Sequence, residues 1–256
     1  NKGPSAARNT GLNHARGKYV WFVDSDDWIE RNCLAPMVEK LERDNLEGLV
    51  YAGVRYSDGK TTQGVEVSYS DEVMSGRELL SRHTINCAAV KTIYKREFLD
   101  QHGLRFVEGI YHEDHEFTPR AYYFIKRIEF TNSHVYYNRL TPGSITQKPN
   151  PKKAFDLIKV AQSLYAFKQT HDTTAVGKAF DNLIAAAVNQ SLSNSSYMND
   201  DDKRRLNKQL AENSYLLDAF AHSNGVKYRI EGMLFKLFPK RIVKAYNLIK
   251  GKQTLQ

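Results

Sequence analysis

The sequence predicts an α/β domain, with a mixed sheet flanked by helices, followed by a helical region. Tyr19–Val23 is a continuous apolar run of strand length directly after a helical stretch, a pattern typical of a buried parallel strand. Further helical and extended patterns alternate up to about residue 147. Beyond Pro151 the apolar residues recur only with the three-to-four spacing of helices. We therefore expect residues 1–147 to form the α/β domain and residues 148–256 a helical extension.

The first half of the α/β region alternates helical and extended segments. Ser5 is expected to cap the first helix, and Gly17 to follow its end, since these residue types favour those positions. The apolar spacing and turn residues predict helices at 5–16 and 34–43, and strands at 19–23, 48–56 and 64–69.

The second half continues the alternation. It predicts a helix at 75–82, a second helix that ends at Gly103 and a third from 112 to 124. One or two strands are expected over 128–139. A turn is expected at 141–143, where threonine, proline and glycine follow one another.

The chain opens on a helix that leads into an internal strand. A crossover helix in an α/β sheet normally connects two strands, so this helix needs an earlier strand. We therefore predict that two βα units are missing before Asn1, and that Tyr19–Val23 has an unpaired hydrogen-bonding edge.

The net charge of +8 is concentrated at one end of the chain. Residues 226–256 carry eight basic side chains and one acidic side chain, which supplies +7 of the total. Nucleic-acid binding is not expected, because it would need basic residues along a groove. Two cysteines, Cys33 and Cys87, make no disulfide framework, and no run approaches the roughly 18 apolar residues of a membrane span. A cytoplasmic protein is the expectation.

The basic segment 226–252 is also amphipathic. Apolar residues alternate with its lysines, and Pro239 divides it into two short helices. This pattern favours a helix lying on the inner face of the plasma membrane. A core-packed helix with a solvated basic edge is the alternative.

Carboxylates cluster immediately after the predicted buried strand, in Asp24-Ser25-Asp26-Asp27. Open α/β sheets bind ligands at the carboxyl ends of their strands. Two aspartates two residues apart can bring oxygen ligands to one hard divalent cation. A short acidic motif alone more often marks a plain loop or helix cap, but the preceding strand favours a metal site.

The run "ARN…G-L…A…G-x-Y…F…DSDD", from Ala7 to Asp27, resembles the family-two inverting glycosyltransferases of GT-A fold. Two later features fit the same pattern, Glu113-Asp114-x-x-Phe117 and Tyr137-x-Arg139 followed by Gly143-Ser144. The resemblance covers residues 3–146. The family's two opening strands, which hold the base and ribose, are absent, as is the Gln-x-x-Arg-Trp motif of processive synthases. This implies transfer of a single sugar.

The resemblance also implies roles for individual residues. Asp26 would be the direct ligand of Mn²⁺ or Mg²⁺, and Asp24 would contact the ribose or the metal through water. Asp114 would be the general base that takes the acceptor proton, with Glu113 as the fallback. By itself the Glu113-Asp114 pair would be better explained as a solvated helix N-terminus.

The implied donor is a nucleotide sugar, with a UDP-sugar favoured, and the implied acceptor is a carbohydrate or lipid-linked glycan of surface polysaccharide or glycolipid synthesis. Donor contacts are expected from Arg8, Asn9, Asp24, Ser25, Asp27, Arg139 and Ser144. Two other functions remain open. One is a phosphohydrolase using Phe22-x-Asp24-x-Asp26, although Trp28 stands where that motif wants a small hydroxyl residue. The other is a non-catalytic basic membrane-binding module.

Overall fold

The computed structural model describes residues 2–57, 60–63, 72–140, 149–238 and 241–253. The chain forms two compact units. The first comprises residues 1–109 and 117–148, and the second comprises 110–116 and 149–256. The segment 110–116, which contains Glu113 and Asp114, thus groups with the helical region rather than with the α/β part in which the sequence pattern places it.

Helices and strands alternate through the first unit, and α5 begins in the second unit and continues into the first. The elements are α1 Pro4–His14, β1 Tyr19–Trp21, β2 Trp28–Ile29, α2 Leu34–Arg43, β3 Gly48–Ser57, β4 Lys60–Gln63, α3 Gly76–Arg82, β5 Thr92–Lys95, α4 Arg96–Gln101, α5 Glu113–Phe124 and β6 Ile128–Arg139.

The described strands form one mixed sheet in the order β1-β5-β3-β6-β2, with β4 paired to β3. Only the β3–β6 pair is parallel among these. The prediction of a buried parallel strand at Tyr19–Val23 is therefore wrong: β1 pairs antiparallel with β5 and its three residues are half-buried. Its other edge has no partner among the described strands, as predicted.

A layer of apolar side chains joins α2 to the sheet. Met37 and Leu41 of α2 pack with Leu49 and Tyr51 of β3 and Ile93 of β5 in one buried cluster. The spacing of four between the two α2 residues places them on the same helix face. Burial of this face holds α2 on the sheet.

Aromatic rings form a second cluster within the same unit. Phe106 stacks on Phe117 of α5 with ring centroids 4.0 Å apart, and Phe22 meets Phe106 edge to face at 5.1 Å. Phe22 follows β1 directly, so this cluster fixes the end of the strand from which the acidic loop emerges.

The first helix begins earlier than predicted. Gly3, at φ +86°, is its N-cap and Pro4 its first residue, while Ser5 is buried in the first turn. Proline favours the first helical position because its fixed φ suits the helix and it lacks an N–H there. The helix ends at His14 with Ala15 as its C-cap, before the predicted stop at Gly17.

The helix predicted over 75–82 is α3, and Ser75 caps it through a capping box with Glu78. Gly103, at φ +58°, follows α4. The returning strand lies at β4, Lys60–Gln63, and the predicted span 64–69 lies outside the described residues.

The second unit is helical beyond residue 150, as predicted. Its helices are α6 Pro151–Thr170, α7 Gly177–Asn194, α8 Asp200–Glu212, α9 Asp218–His222, α10 Val226–Leu237 and α11 Ile242–Gln253. Among the helices in the described ranges, none has the length and apolar character needed to cross a bilayer.

Candidate functional site

The acidic loop follows β1 and closes in a turn. The backbone N–H of Asp27 donates to the carbonyl of Asp24 at 3.1 Å. The chain then enters β2, whose Trp28 pairs with Tyr137 of β6. The loop is therefore held between strands at opposite ends of the described sheet path, β1 and β2.

The hydroxyl of Tyr136 fixes the loop through two hydrogen bonds. It accepts a hydrogen bond from the backbone N–H of Asp24 at 3.1 Å and donates to Asp27 Oδ2 at 2.6 Å. The ring is fully buried. Burial, the bond to Asp27 and the two nearby carboxylates raise the pKa of Tyr136, so the hydroxyl remains a proton donor at neutral pH.

Asp27 directs its carboxylate toward β6. Its Oδ1 accepts from the backbone N–H of Arg139 at 2.8 Å, and its Oδ2 accepts from Asn138 Nδ2 at 3.1 Å as well as from Tyr136. Both oxygens are thus used within the protein. The sequence pattern places Asp27 among donor-binding residues, whereas its contacts make it the residue that fixes the loop to β6.

Asp24 is paired with a residue of α1. Arg8 Nη2 lies 2.7 Å from Asp24 Oδ1, with 14% of the Arg8 side chain and 42% of the Asp24 side chain exposed. The Arg8 guanidinium also lies 5.3 Å from the Phe106 ring centroid. The structure thus brings together two predicted site residues, and the described partner of Arg8 is a carboxylate of the loop.

Asn9 connects α1 to the segment before α5. Its Nδ2 donates to the carbonyl of Phe106 at 2.9 Å, and its Oδ1 accepts from the N–H of Phe106 at 2.9 Å. A further bond reaches Glu108 Oε1 at 3.1 Å. These bonds use both the oxygen and the nitrogen of the side-chain amide. Asn9 therefore fixes the backbone at Phe106 relative to α1.

Asp26 and Ser25 differ from their neighbours. Both are exposed, and neither side chain makes a hydrogen bond or ion pair with the part of the chain that the structure describes. Asp26 is therefore a carboxylate available to a ligand, on a loop whose other two aspartates are engaged.

An aromatic surface adjoins this loop. Trp28 stacks on Tyr137 with ring centroids 5.2 Å apart and planes 3° from parallel, and it meets Tyr56 edge to face at 5.0 Å. The Arg139 guanidinium lies 5.4 Å from the Trp28 ring centroid. A flat ring with a nearby guanidinium suits a planar or anionic ligand.

The acidic loop suits a divalent cation whose coordination is completed by a ligand. Within the described residues no group of three or more histidine, cysteine or acidic side chains is arranged to hold a metal. Asp26 and Asp24 offer hard oxygen donors, and Mg²⁺ and Mn²⁺ commonly take only one or two carboxylates together with substrate phosphates. The residues present therefore fit a cation bound jointly with a diphosphate.

Glu113 and Asp114 open α5 in the second unit, whereas Asp24 and Asp26 belong to the first. Asp114 Oδ1 accepts from the N–H of His115 at 2.9 Å, and both acidic side chains are half-buried. The residue before them, His112, has φ +63°. Burial, then the nearby His115 and Lys153, lower the pKa of His112 to about 4, so it is neutral at pH 7.

Glu116, one turn into α5, is a buried carboxylate of the second unit. Its Oε1 accepts from Ser163 Oγ at 2.7 Å. Ser144, the remaining predicted donor contact, lies outside the described residues.

The sequence pattern does not identify the β6 side chains that make hydrogen bonds to the acidic loop. Tyr136 and Asn138 flank the Tyr137 position of the family pattern, but only the pairing of β2 with β6 shows that they face the acidic loop. Trp21 is the other missed residue. Its Nε1 donates to the carbonyl of Val90 at 3.0 Å, which ties β1 to the turn before β5.

Comparison with known proteins identifies a family for the first part of the chain. Residues 1–103 match the family described as glycosyl transferase family 2. The uncharacterized glycosyltransferase EpsJ of Bacillus subtilis (strain 168) is 29% identical over 176 residues, which cover 65% of this chain and 51% of EpsJ. Glycosyltransferase GlyA of Streptococcus pneumoniae is 30% identical over 160 residues, covering 57% of this chain and 22% of GlyA.

The same fold occurs in a solved glycosyltransferase structure. TarS of Staphylococcus aureus, residues 1–349 in complex with UDP-GlcNAc, superposes with a TM-score of 0.70 at 18% identity, covering 96% of this chain and 72% of that one. The first unit therefore has the GT-A-like architecture that the sequence predicts. The curated relatives described above are longer proteins, of which the chain spans about half or less. They are glycosyltransferases, and they lend no support to a phosphohydrolase or a non-catalytic module.

Proposed function

We propose, from the match of residues 1–103 to glycosyl transferase family 2, that the protein transfers one sugar from a nucleotide-diphosphate sugar to an acceptor hydroxyl. The observation that carries the proposal is Asp26, an exposed carboxylate without a partner among the described residues. It stands on a loop whose flanking aspartates are fixed by Arg8, Tyr136 and the β6 backbone.

In this proposal Asp26 and Asp24 hold a Mn²⁺ or Mg²⁺ ion together with the donor diphosphate. When bound, the ion supplies positive charge that stabilises the departing diphosphate. Tyr136 and Asp27 keep the loop in one conformation, so the carboxylate of Asp26 is preorganised and costs less ordering on binding. Arg8 keeps Asp24 oriented through the contact between its Nη2 and Asp24 Oδ1.

Asp114 is proposed as the general base, with Glu113 as the alternative. A base must accept the proton of the acceptor hydroxyl as its oxygen attacks the anomeric carbon, on the face opposite the departing diphosphate. Such a displacement inverts the anomeric centre. The half-buried position of Asp114 at the start of α5 supports this assignment, because the side chain is ordered without being enclosed.

A UDP-sugar is the proposed donor, and a carbohydrate or lipid-linked glycan of surface polysaccharide or glycolipid synthesis the proposed acceptor. The TarS complex with UDP-GlcNAc supports the donor class, and a related TarS sequence is described as a poly(ribitol-phosphate) β-N-acetylglucosaminyltransferase. Trp28 and Arg139 offer a stacking face and a positive charge beside the loop. We assign them to the donor, with Ser25.

We also propose that the second unit attaches to the cytoplasmic face of a membrane through α10. Large apolar side chains lie on two sides of this helix. Its inner face packs in the unit, where Phe235 is fully buried and a Cβ added to Gly232 would collide with Phe220 of α9.

The outer face of α10 is instead exposed. Val226, Ile230, Met233 and Leu237 form a stripe with 62%, 55%, 66% and 70% of their surface open. Exposed Arg229 and Lys236 border this stripe, and Arg241 and Lys244 follow it in the sequence. An apolar stripe bordered by basic side chains matches the interface of a bilayer that contains anionic lipids.

The metal part of the proposal is tested by UDP binding in the presence and absence of Mn²⁺. Titration calorimetry on the full chain should show UDP affinity rising with Mn²⁺, and Asp26→Asn should remove most of that rise because the amide carries no charge. Asp201→Asn, an exposed aspartate of α8 paired with Arg204, is the matched control. Equal Mn²⁺ dependence in Asp26→Asn and the control would contradict the assignment.

A further inference from the structure

A pocket of about 400 Å³ lies between α6 and α8 in the second unit. Its walls include Lys152, Phe155 and Lys159 of α6 and Asp202, Arg205 and Gln209 of α8. Within each helix these positions are three or four residues apart, so each helix contributes one face. Ligand pockets commonly have volumes of about 300–1,000 Å³, so this pocket is large enough for a sugar residue.

The charged groups of the pocket are layered, with carboxylates beneath cations. Asp156, also in the lining, is fully buried and binds the ammonium groups of both Lys152 and Lys159. Those two lysine side chains are about half exposed. On α8 the Arg205 guanidinium lies 3.0 Å from Asp202 Oδ1, with 65% of the Arg205 side chain exposed against 16% of the Asp202 side chain. A ligand that enters the pocket therefore meets cations before it meets carboxylates.

The cations of the pocket are also held in place. The Arg205 guanidinium lies 5.1 Å from the ring centroid of Phe155, across from it on α6, in addition to its contact with Asp202. An ammonium group has three N–H donors and a guanidinium five, which is more than one carboxylate contact uses. Cations that are already fixed lose less conformational freedom when a ligand binds. The lining carries three cations and two carboxylates, so its net charge favours an anion.

Asp156 connects the pocket to the segment that carries the proposed base. Its Oδ2 accepts from the backbone N–H of Tyr111 at 3.0 Å, and Tyr111 lies in the segment 110–116 of the same unit. Glu116 of that segment accepts from Ser163, seven residues beyond Asp156 on α6. The helix that lines the pocket therefore also holds both ends of the segment that contains Asp114. For this reason we assign the pocket to the acceptor rather than to the donor.

We propose that the pocket between α6 and α8 binds an anionic sugar residue of the acceptor, one that carries a phosphate or a carboxylate group. Lys159 and Arg205 contact the anionic group, because an ammonium and a guanidinium fork suit the oxygens of either group. Phe155 offers its half-buried ring to the apolar side of the sugar. The assignment to the acceptor rests on the proposed function, whereas the binding of an anionic sugar by this pocket does not.

The test is titration calorimetry of the full chain with glucose 6-phosphate, glucuronate and glucose. At least one of the two anionic sugars should bind, and glucose should bind roughly tenfold more weakly or less, because it lacks the charge-assisted hydrogen bonds. Binding of glucose 6-phosphate alone assigns the pocket to a phosphate group, and binding of glucuronate alone assigns it to a carboxylate. Binding of neither anionic sugar, or equal binding of glucose, would overturn the proposal.

Two variants with matched controls place the binding in this pocket. Arg205→Met should weaken the anionic sugar roughly tenfold or more. Arg204→Met is its control, because Arg204 is also exposed on α8 and pairs with an aspartate three residues earlier, but lies outside the lining. Gln209→Glu should weaken binding too, since it adds a negative charge to the pocket and removes no cation. Gln169→Glu, at an exposed position of α6 outside the lining, should bind like the wild type.

UDP affinity in Mn²⁺, measured on the same variants, separates this proposal from the proposed function. It should be unchanged in Arg205→Met, because the acidic loop is intact. A wild type that binds an anionic sugar through Arg205 but does not bind UDP would support the pocket while contradicting the proposed donor. Equal affinity for the anionic sugar in Arg205→Met and Arg204→Met, with circular dichroism showing both folded, would overturn the proposal.

Discussion

Tyr136 shows how one hydroxyl can order the acidic loop. Its single oxygen accepts from the backbone of Asp24 and donates to Asp27, so it joins both ends of the acidic turn to β6. The neighbouring Tyr137 uses its hydroxyl only at the surface, where it donates to Glu30 Oε2 at 2.7 Å.

We therefore expect Tyr136→Phe to lower the free energy of unfolding by about 1–3 kcal/mol, because it leaves buried polar groups of the turn without their partner. UDP affinity in Mn²⁺ should fall as well, because Asp26 is then less ordered. Urea unfolding and UDP titration measure both. Tyr137→Phe keeps the ring and loses an exposed bond, so it should cost roughly 0.5 kcal/mol or less. Equal effects of the two variants would contradict the role of Tyr136.

Lys91 should make stability depend on pH in a defined window. Its pKa in the fold is about 8, against 10.5 for an ordinary lysine, because of burial and Arg55. Below pH 8 both states hold the proton, and the fold bears the full cost of the buried charge. Between pH 8 and 10.5 the unfolded chain binds more protons than the fold, so the wild type gains stability as the pH rises.

Lys91→Met should therefore be more stable than the wild type at pH 7 by about 1 kcal/mol, after allowing for screening by water. This advantage should shrink toward pH 10.5. Urea unfolding at pH 7 and pH 10 measures it, with Lys126→Met as the control for a generic lost charge. A stability gain of the same size at pH 7 and pH 10 would contradict a lowered pKa of Lys91 in the fold.

Among the elements, helices were predicted more accurately from the sequence than short strands. α2 has clean helical spacing, and its predicted bounds agree with the structure. β5 has four residues after a short turn, and no periodicity reveals a strand of that length. Missing β5 also made the prediction for β1 wrong, because an apolar run does not say whether its neighbour is parallel or antiparallel.

The basic segment left two alternatives open, a membrane-surface helix or a core-packed helix. α10 has features of both, since Phe235 is buried and Met233 is 66% exposed. The packing of α9 against one face of α10 decides which apolar residues of α10 stay exposed to solvent. The helical periodicity of the sequence does not reveal that packing.

We predict that the chain sediments with vesicles containing anionic phosphatidylserine more than with neutral phosphatidylcholine vesicles, and less at high salt. Ile230→Asp with Met233→Asp should lower vesicle binding at least tenfold, because the stripe loses apolar area and gains negative charge. Tyr197→Asp, at another exposed apolar position of the unit, is the control. Binding that is unaffected by the double change, or self-association through the stripe, would contradict the assignment.

At the scale of the whole molecule, the sequence predicts the family pattern and the acidic loop well. It marks Asp24 and Asp26 as candidate metal ligands because their spacing after an apolar strand is local. It does not separate the engaged Asp27 and Asn9 from the available Asp26, because that difference depends on hydrogen bonds to residues about 100 positions away. The assignment of 110–116 to the helical unit is likewise a long-range property.

In the proposed reaction, Asp26 and Asp114 have separate roles. We propose that Asp26 holds the metal ion with the donor diphosphate and that Asp114 takes the proton of the acceptor hydroxyl. Loss of each carboxylate should affect the affinity for the donor nucleotide differently. Asp114→Asn should leave UDP affinity in Mn²⁺ unchanged, whereas Asp26→Asn should lower it.

The most direct test is UDP release from UDP-GlcNAc by the full chain with Mn²⁺ and a glycan acceptor, measured for the wild type and for Asp26→Asn, Asp114→Asn and Asp201→Asn. We expect turnover by the wild type and by Asp201→Asn, and a loss of roughly 100-fold or more in Asp26→Asn and in Asp114→Asn. Near-normal release by either Asp26→Asn or Asp114→Asn would contradict this expectation.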